Sequence, residues 1–111
     1  MSHEREEELA RLAERLGPVL AVHGFEKAIV FGSVARGTAS RRSDLDLILV
    51  KRTNERFLDR YGQVLVDLYD AAPEREMEVL IYTPEELERL SRRRFIARAL
   101  REGRVIYDES P

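Results

Sequence analysis

The chain has 111 residues, 43% hydrophobic and 36% charged: enough apolar surface for a buried core and, at about 100–150 residues per domain, length for one domain over 1–111. Nineteen basic residues against 21 acidic ones leave a net charge of −2, which excludes a polyanion binder held by overall charge and makes any nucleotide or nucleic-acid contact local. With no cysteine and two histidines, disulfide scaffolds, thiol nucleophiles, zinc ribbons and His-rich metal sites are excluded, and no apolar run approaches the roughly 20 residues of a membrane span.

The start, Met1 to Glu8, is acidic where a signal or transit peptide would be basic, so the chain reads as cytoplasmic. From Glu4 to Leu16, Leu9, Leu12, Ala13 and Leu16 recur at helical spacing, with Glu6, Glu7 and Glu8 early in the helix. Gly17-Pro18 is expected to interrupt that helix, with at most one further turn to Val22 before Gly24. Ala28-Ile29-Val30-Phe31 reads as a buried strand. After a glycine-containing turn, Asp44 to Val50 sets Asp44, Asp46, Ile48 and Val50 on one face and three leucines on the other, the pattern of a central strand. Helical spacing returns from Asn54 to Ala72, a third strand runs from Glu76 to Tyr82, and Thr83-Pro84-Glu85-Glu86 is a capping box that starts a helix. That helix continues to Leu100 with a break near Ser91. Gly103 stops it, and Val105-Ile106-Tyr107 adds a short strand. His3 and His23 read as surface residues.

Two segments carry chemistry. Gly32-Ser33 directly after the first strand lets backbone N–H groups approach a phosphate, because no bulky side chain stands in the way. The loop lacks the Gly-Lys-Ser/Thr of a Walker A motif and the spaced glycines of a dinucleotide fingerprint. Asp44 and Asp46, two apart on a strand, repel unless a cation lies between them, and their hard oxygens suit Mg2+. Arg36, Arg41 and Arg42, with no acidic residue between Phe31 and Ser43, offer donors to a polyphosphate. Two metal ions about 4 Å apart need a third carboxylate, for which Glu76 and Glu78 share a face of the third strand. Arg89 to Arg104 holds seven arginines against Glu102 alone, most simply a solvated helix face, otherwise a docking face for an acidic partner or an RNA.

Gly32, Ser33, Arg36 and Gly37 followed by Asp44 and Asp46 resemble the minimal nucleotidyltransferases of the DNA polymerase beta-like superfamily. Thr83 to Glu86 and the closing Gly103 to Tyr107 extend the likeness over nearly the whole chain. The resemblance implies an α/β fold of α+β type, a mixed β-sheet flanked by helices. It implies that Gly32 and Ser33, with Arg36 and Ser43, bind the nucleotide, and that Asp44, Asp46 and Glu78 are catalytic and hold two Mg2+. Position 78 departs from the family, whose third carboxylate there is usually aspartate. The implied activity is transfer of a nucleoside monophosphate from an NTP, ATP by the resemblance, to a hydroxyl with release of pyrophosphate. Its alternative is a non-catalytic antitoxin or regulator with a vestigial nucleotide site. The implied partner is a helical HEPN-type toxin, on which the antitoxin acts by binding or by adding AMP, and surface left bare without an acceptor domain favours that complex or a homodimer. Base preference and any nucleic-acid contact are left open.

Overall fold

A computed structural model describes residues 2–39 and 44–110. In chain order the elements are α1 (Ser2–Val22), β1 (Lys27–Phe31), α2 (Gly32–Arg36), β2 (Leu45–Val50), a 3-10 turn (Phe57–Arg60), α3 (Gly62–Ala71), β3 (Met77–Tyr82), α4 (Pro84–Leu90), α5 (Arg94–Glu102) and β4 (Arg104–Asp108). The four strands form one mixed sheet in the order β3-β2-β1-β4. β1 is antiparallel to both β2 and β4, with an irregularity between Ala28 and Ile29, and β2 runs parallel to β3.

The two-faced pattern of β2 decides the layers. Leu45, Leu47 and Leu49, with Ala28 and Val30, pack under α1 and α3, while Ile48 and Val50, with Ile29 and Phe31, pack under Ile96 and Ala99 of α5 and Leu87 and Leu90 of α4. The sheet is thus flanked by helices on both faces, as the resemblance implied.

Two boundaries differ from the sequence reading. α1 runs through Pro18 to Val22. Pro18 is exposed, while Leu16 and Leu20, one turn apart, are fully buried, and that burial outweighs the roughly 3 kcal/mol a helix-interior proline costs. The helix expected from Asn54 starts only at Gly62. The Thr53 hydroxyl accepts from the Glu55 N–H, and the Arg60 side chain turns back to donate to the Glu55 carbonyl, so the preceding segment is a loop and a 3-10 turn. The last helix breaks near Ser91 as expected, dividing at residues 91–93 into α4 and α5, and the capping box at Thr83 and Glu86 is formed in both directions. His23 is half-buried and bonds Asp67 at 2.7 Å, tying α1 to α3 rather than standing free on the surface.

Arg60 is 7% exposed. Its guanidinium donates to both Glu86 carboxylate oxygens, at 2.6 and 3.1 Å, and to the Ile81 carbonyl at 3.1 Å. Arg60→Met should lower the urea midpoint by the equivalent of about 2 kcal/mol, because Glu86 and the Ile81 carbonyl lose their partner; an unchanged midpoint would show the bridge to be idle. Hydrogen bonding from Arg60 pulls the Glu86 pKa from 4.5 down to about 2, so the bridge's contribution is full above pH 4.5 and fades as the pH falls towards 2.

Candidate functional site

The site lies where β1 ends and β2 and β3 begin. In the sheet register Asp46 stands between Phe31 of β1 and Glu78 of β3. Asp46 is on the face of β2 that carries Ile48 and Val50. α4 and α5 cover those two residues and leave the beginning of β2 open in a cleft of about 350 Å3. Phe31, Gly32, Ser33 and Arg36 from the end of β1 and α2, Asp46 and the exposed Glu78 from β2 and β3, and Phe95, Arg98 and Glu102 from α5 line the cleft.

Gly32 sits at φ +69°, in the left-handed region, and a Cβ there would stand 2.1 Å from Oδ2 of Asp46. The absent side chain is therefore the space that the Asp46 carboxyl occupies. After Gly32 the chain turns into α2, which Gly37 closes in a left-handed conformation with the Thr38 N–H donating to the Ser33 carbonyl at 3.0 Å.

Asp46 and Glu78 are register partners on adjacent strands, which brings their carboxyl groups close enough to share a proton in a hydrogen bond. Burial first, then that bond and the negative charges of Glu78 and Asp44, raise the Asp46 pKa from 3.8 to about 6, against the opposing pull of Arg36. Two carboxylates forced together in this way are relieved either by a shared proton or by a hard cation, so the donor chemistry fits Mg2+. Among the described residues, no three His, Cys, Asp or Glu side chains are arranged to hold a metal ion. Asp44 is exposed, just before β2, and acts on Asp46 through its charge without lining the cleft.

Of the residues singled out from sequence, Gly32, Ser33, Arg36, Asp46 and Glu78 meet in this cleft, and Asp44 stands at its edge. Ser43, Arg41 and Arg42 lie outside the described residues. Glu76 is exposed and does not line the cleft; its carbonyl accepts from the Leu45 N–H at 2.8 Å, so its part is to start the β2–β3 pairing.

Sequence reasoning missed the wall made by α5. Arg98 and Glu102 are joined at 2.5 Å, and Arg36 reaches the same Glu102 at 3.6 Å. Glu102 thus bridges two arginines across the cleft, and the Arg98 hydrogen bond lowers its pKa below the usual carboxylate range. Phe95, Arg98, Ala99 and Glu102 follow i, i+3, i+4, i+7 spacing, the signal of one helix face. Of the seven arginines from Arg89 to Arg104, Arg98 pairs with Glu102 and Arg104 with Glu6.

Residues 14–111 match the family model described as polymerase beta, nucleotidyltransferase. A solved structure described as "Crystal structure of the toxin-antitoxin with AMP-PNP" superposes with a TM-score of 0.61 at 15% identity, covering 86% of this chain and 73% of that one, a likeness of fold. No curated protein matches the chain.

Proposed function

The chain belongs to the polymerase beta nucleotidyltransferase family, and from that premise we propose that its cleft transfers a nucleoside monophosphate from an NTP, ATP in the first instance, to a hydroxyl acceptor in an Mg2+-dependent reaction. The observation that carries the reading is the meeting of Asp46 and Glu78 beside Gly32-Ser33 in one cleft. The open backbone at Gly32 and Ser33 receives the β- and γ-phosphates. Arg36 exchanges its bond to Glu102 for a phosphate oxygen. Asp46 and Glu78, with Asp44 alongside, hold the cation. Mg2+ bound there supplies charge neutralisation of the polyphosphate and acidifies an acceptor hydroxyl. The acceptor oxygen forms a bond to the α-phosphorus as the bond to the leaving pyrophosphate breaks, and the acceptor's proton passes to the Asp46–Glu78 carboxylate pair. No histidine is among the residues lining the cleft, so the role of Ser33 is binding rather than attack.

The acceptor we propose is a partner protein, a helical HEPN-type toxin. The resemblance in sequence and the toxin-antitoxin neighbour solved with AMP-PNP support that choice. A second reading, an antitoxin that neutralises by binding alone, is favoured by one feature: Glu78 stands where the resemblance leads one to expect aspartate.

Calorimetric titration with ATP, with and without Mg2+, tests the site without knowledge of the acceptor. The wild type should bind only with Mg2+ present, and Glu78→Gln should weaken that binding about tenfold or more. Absence of ATP binding by the folded wild type rules out the nucleotide site; binding without transfer of α-labelled AMP to the partner leaves the second reading.

A further inference from the structure

Phe95 is 61% exposed, yet its ring is not loose. It meets Phe31 edge to face, with ring centroids 5.7 Å apart and planes at 90°. Phe31 is the residue directly before Gly32 and the register partner of Asp46. The ring is therefore fixed one aromatic contact away from the phosphate-binding turn. It also stands in a wall otherwise made of Arg98, Ala99 and Glu102.

A solvent-facing aromatic of this kind is either part of an apolar docking patch or a platform inside a polar site. The remaining exposed large apolar side chains, Val22, Phe57, Leu58, Val66 and Val105, lie on other elements, and none lines the cleft. Among the described residues Phe95 is thus the one large exposed apolar side chain in the cleft, where a protein-docking patch would be contiguous. A flat ring beside a phosphate-binding turn offers a nucleobase its face, and stacking of base on aromatic ring tolerates any base while favouring the larger.

We propose that the exposed face of Phe95 is the platform on which the base of the bound nucleotide stacks, which makes the cleft prefer purine over pyrimidine nucleotides. The inference rests on the reading of the cleft as a nucleotide site and adds a base subsite to it. Phe31 is then a positioning residue, holding the Phe95 ring at a fixed tilt. The ring carries no hydrogen-bonding atom, so selection between adenine and guanine is left to other groups.

The test uses three probes in Mg2+, namely ATP, CTP and inorganic tripolyphosphate, titrated into wild type, Phe95→Ala and Phe95→Tyr, with a thermal melt of each variant as a check of folding. The expected result is tighter binding of ATP than CTP by wild type, and a loss of ATP affinity on the order of tenfold or more in Phe95→Ala. Tripolyphosphate affinity should stay unchanged, and Phe95→Tyr should keep ATP binding. Unaltered ATP binding by Phe95→Ala overturns the platform and hands the ring to the acceptor or partner. Equal losses for ATP and tripolyphosphate overturn it as well, because Phe95 then acts only by bracing the cleft through Phe31. Binding of neither ATP nor tripolyphosphate by a folded wild type fails at the earlier step, and overturns the nucleotide site and the platform together.

Discussion

Asp46→Asn is expected to lose Mg2+-dependent nucleotide binding by about 100-fold or more, because it removes the charged oxygen most deeply placed among the carboxylates. The same change should stabilise the fold at neutral pH. The Asp46 pKa is raised from 3.8 to about 6, chiefly by burial and by Glu78, so the folded chain keeps a proton at Asp46 over a range where the unfolded chain has released it. The stability that this proton supplies is full below pH 3.8 and is lost as the pH rises through about 6. Asparagine carries no such charge. Wild type and variant should therefore melt alike near pH 4, diverge as the pH rises towards 6 and stay apart above it, the variant gaining about 1 kcal/mol after discounting for solvent screening of a half-exposed group. Melting curves from pH 4 to 8 measure it, and a variant less stable than wild type at pH 8 would refute the account of the carboxyl pair.

Gly32→Ala should be the most disruptive single change in the cleft. At φ +69° an L-residue costs about 1–2 kcal/mol, and the new Cβ, 2.1 Å from Asp46 Oδ2, forces the carboxyl aside at an overpacking cost of about 1–3 kcal/mol. We expect a loss of about 2–5 kcal/mol in urea denaturation together with loss of nucleotide binding. The two contributions separate in a double-mutant cycle. In an Asp46→Ala background the displaced oxygens are gone, and Gly32→Ala should cost only the backbone part, about 1–2 kcal/mol. Equal costs in the two backgrounds would show that Gly32 is needed for its dihedral angles and not for the room it leaves Asp46.

Much of this arrangement was legible before any coordinates. The alternation in Asp44 to Val50 assigned Asp46 to the face opposite the three leucines, and the sheet places it there. Gly32 and Asp46 were paired in sequence by motif, and in space they fit because one lacks what the other fills. The rule that proline ends a helix failed at Pro18 because local propensity does not register that Leu16 and Leu20 are both fully buried. The loop before Gly62 was hidden because Phe57, Leu58 and Tyr61 keep helical spacing, while the interaction that holds Arg60 comes from Glu86, on a different element. The α5 wall was hidden for a related reason. Seven arginines nearly without acids read as a solvated face, and nothing local says that Arg98 turns inward to Glu102 beside Phe95.

The parallel pairing of β2 with β3 also bears on the order of folding. A hairpin cannot make a parallel pair, so residues 51–76 must travel round through the 3-10 turn and α3 before Glu78 can reach Asp46, whereas β1 and β2 pair antiparallel across residues 32–44, half that length. Loop closure makes such a crossover slow to form, and this one must also bring two like charges together when it closes. The chemistry of the cleft therefore comes into being at a seam that closes after the β1–β2 pair, so that Asp46 is in place before its carboxyl partner arrives.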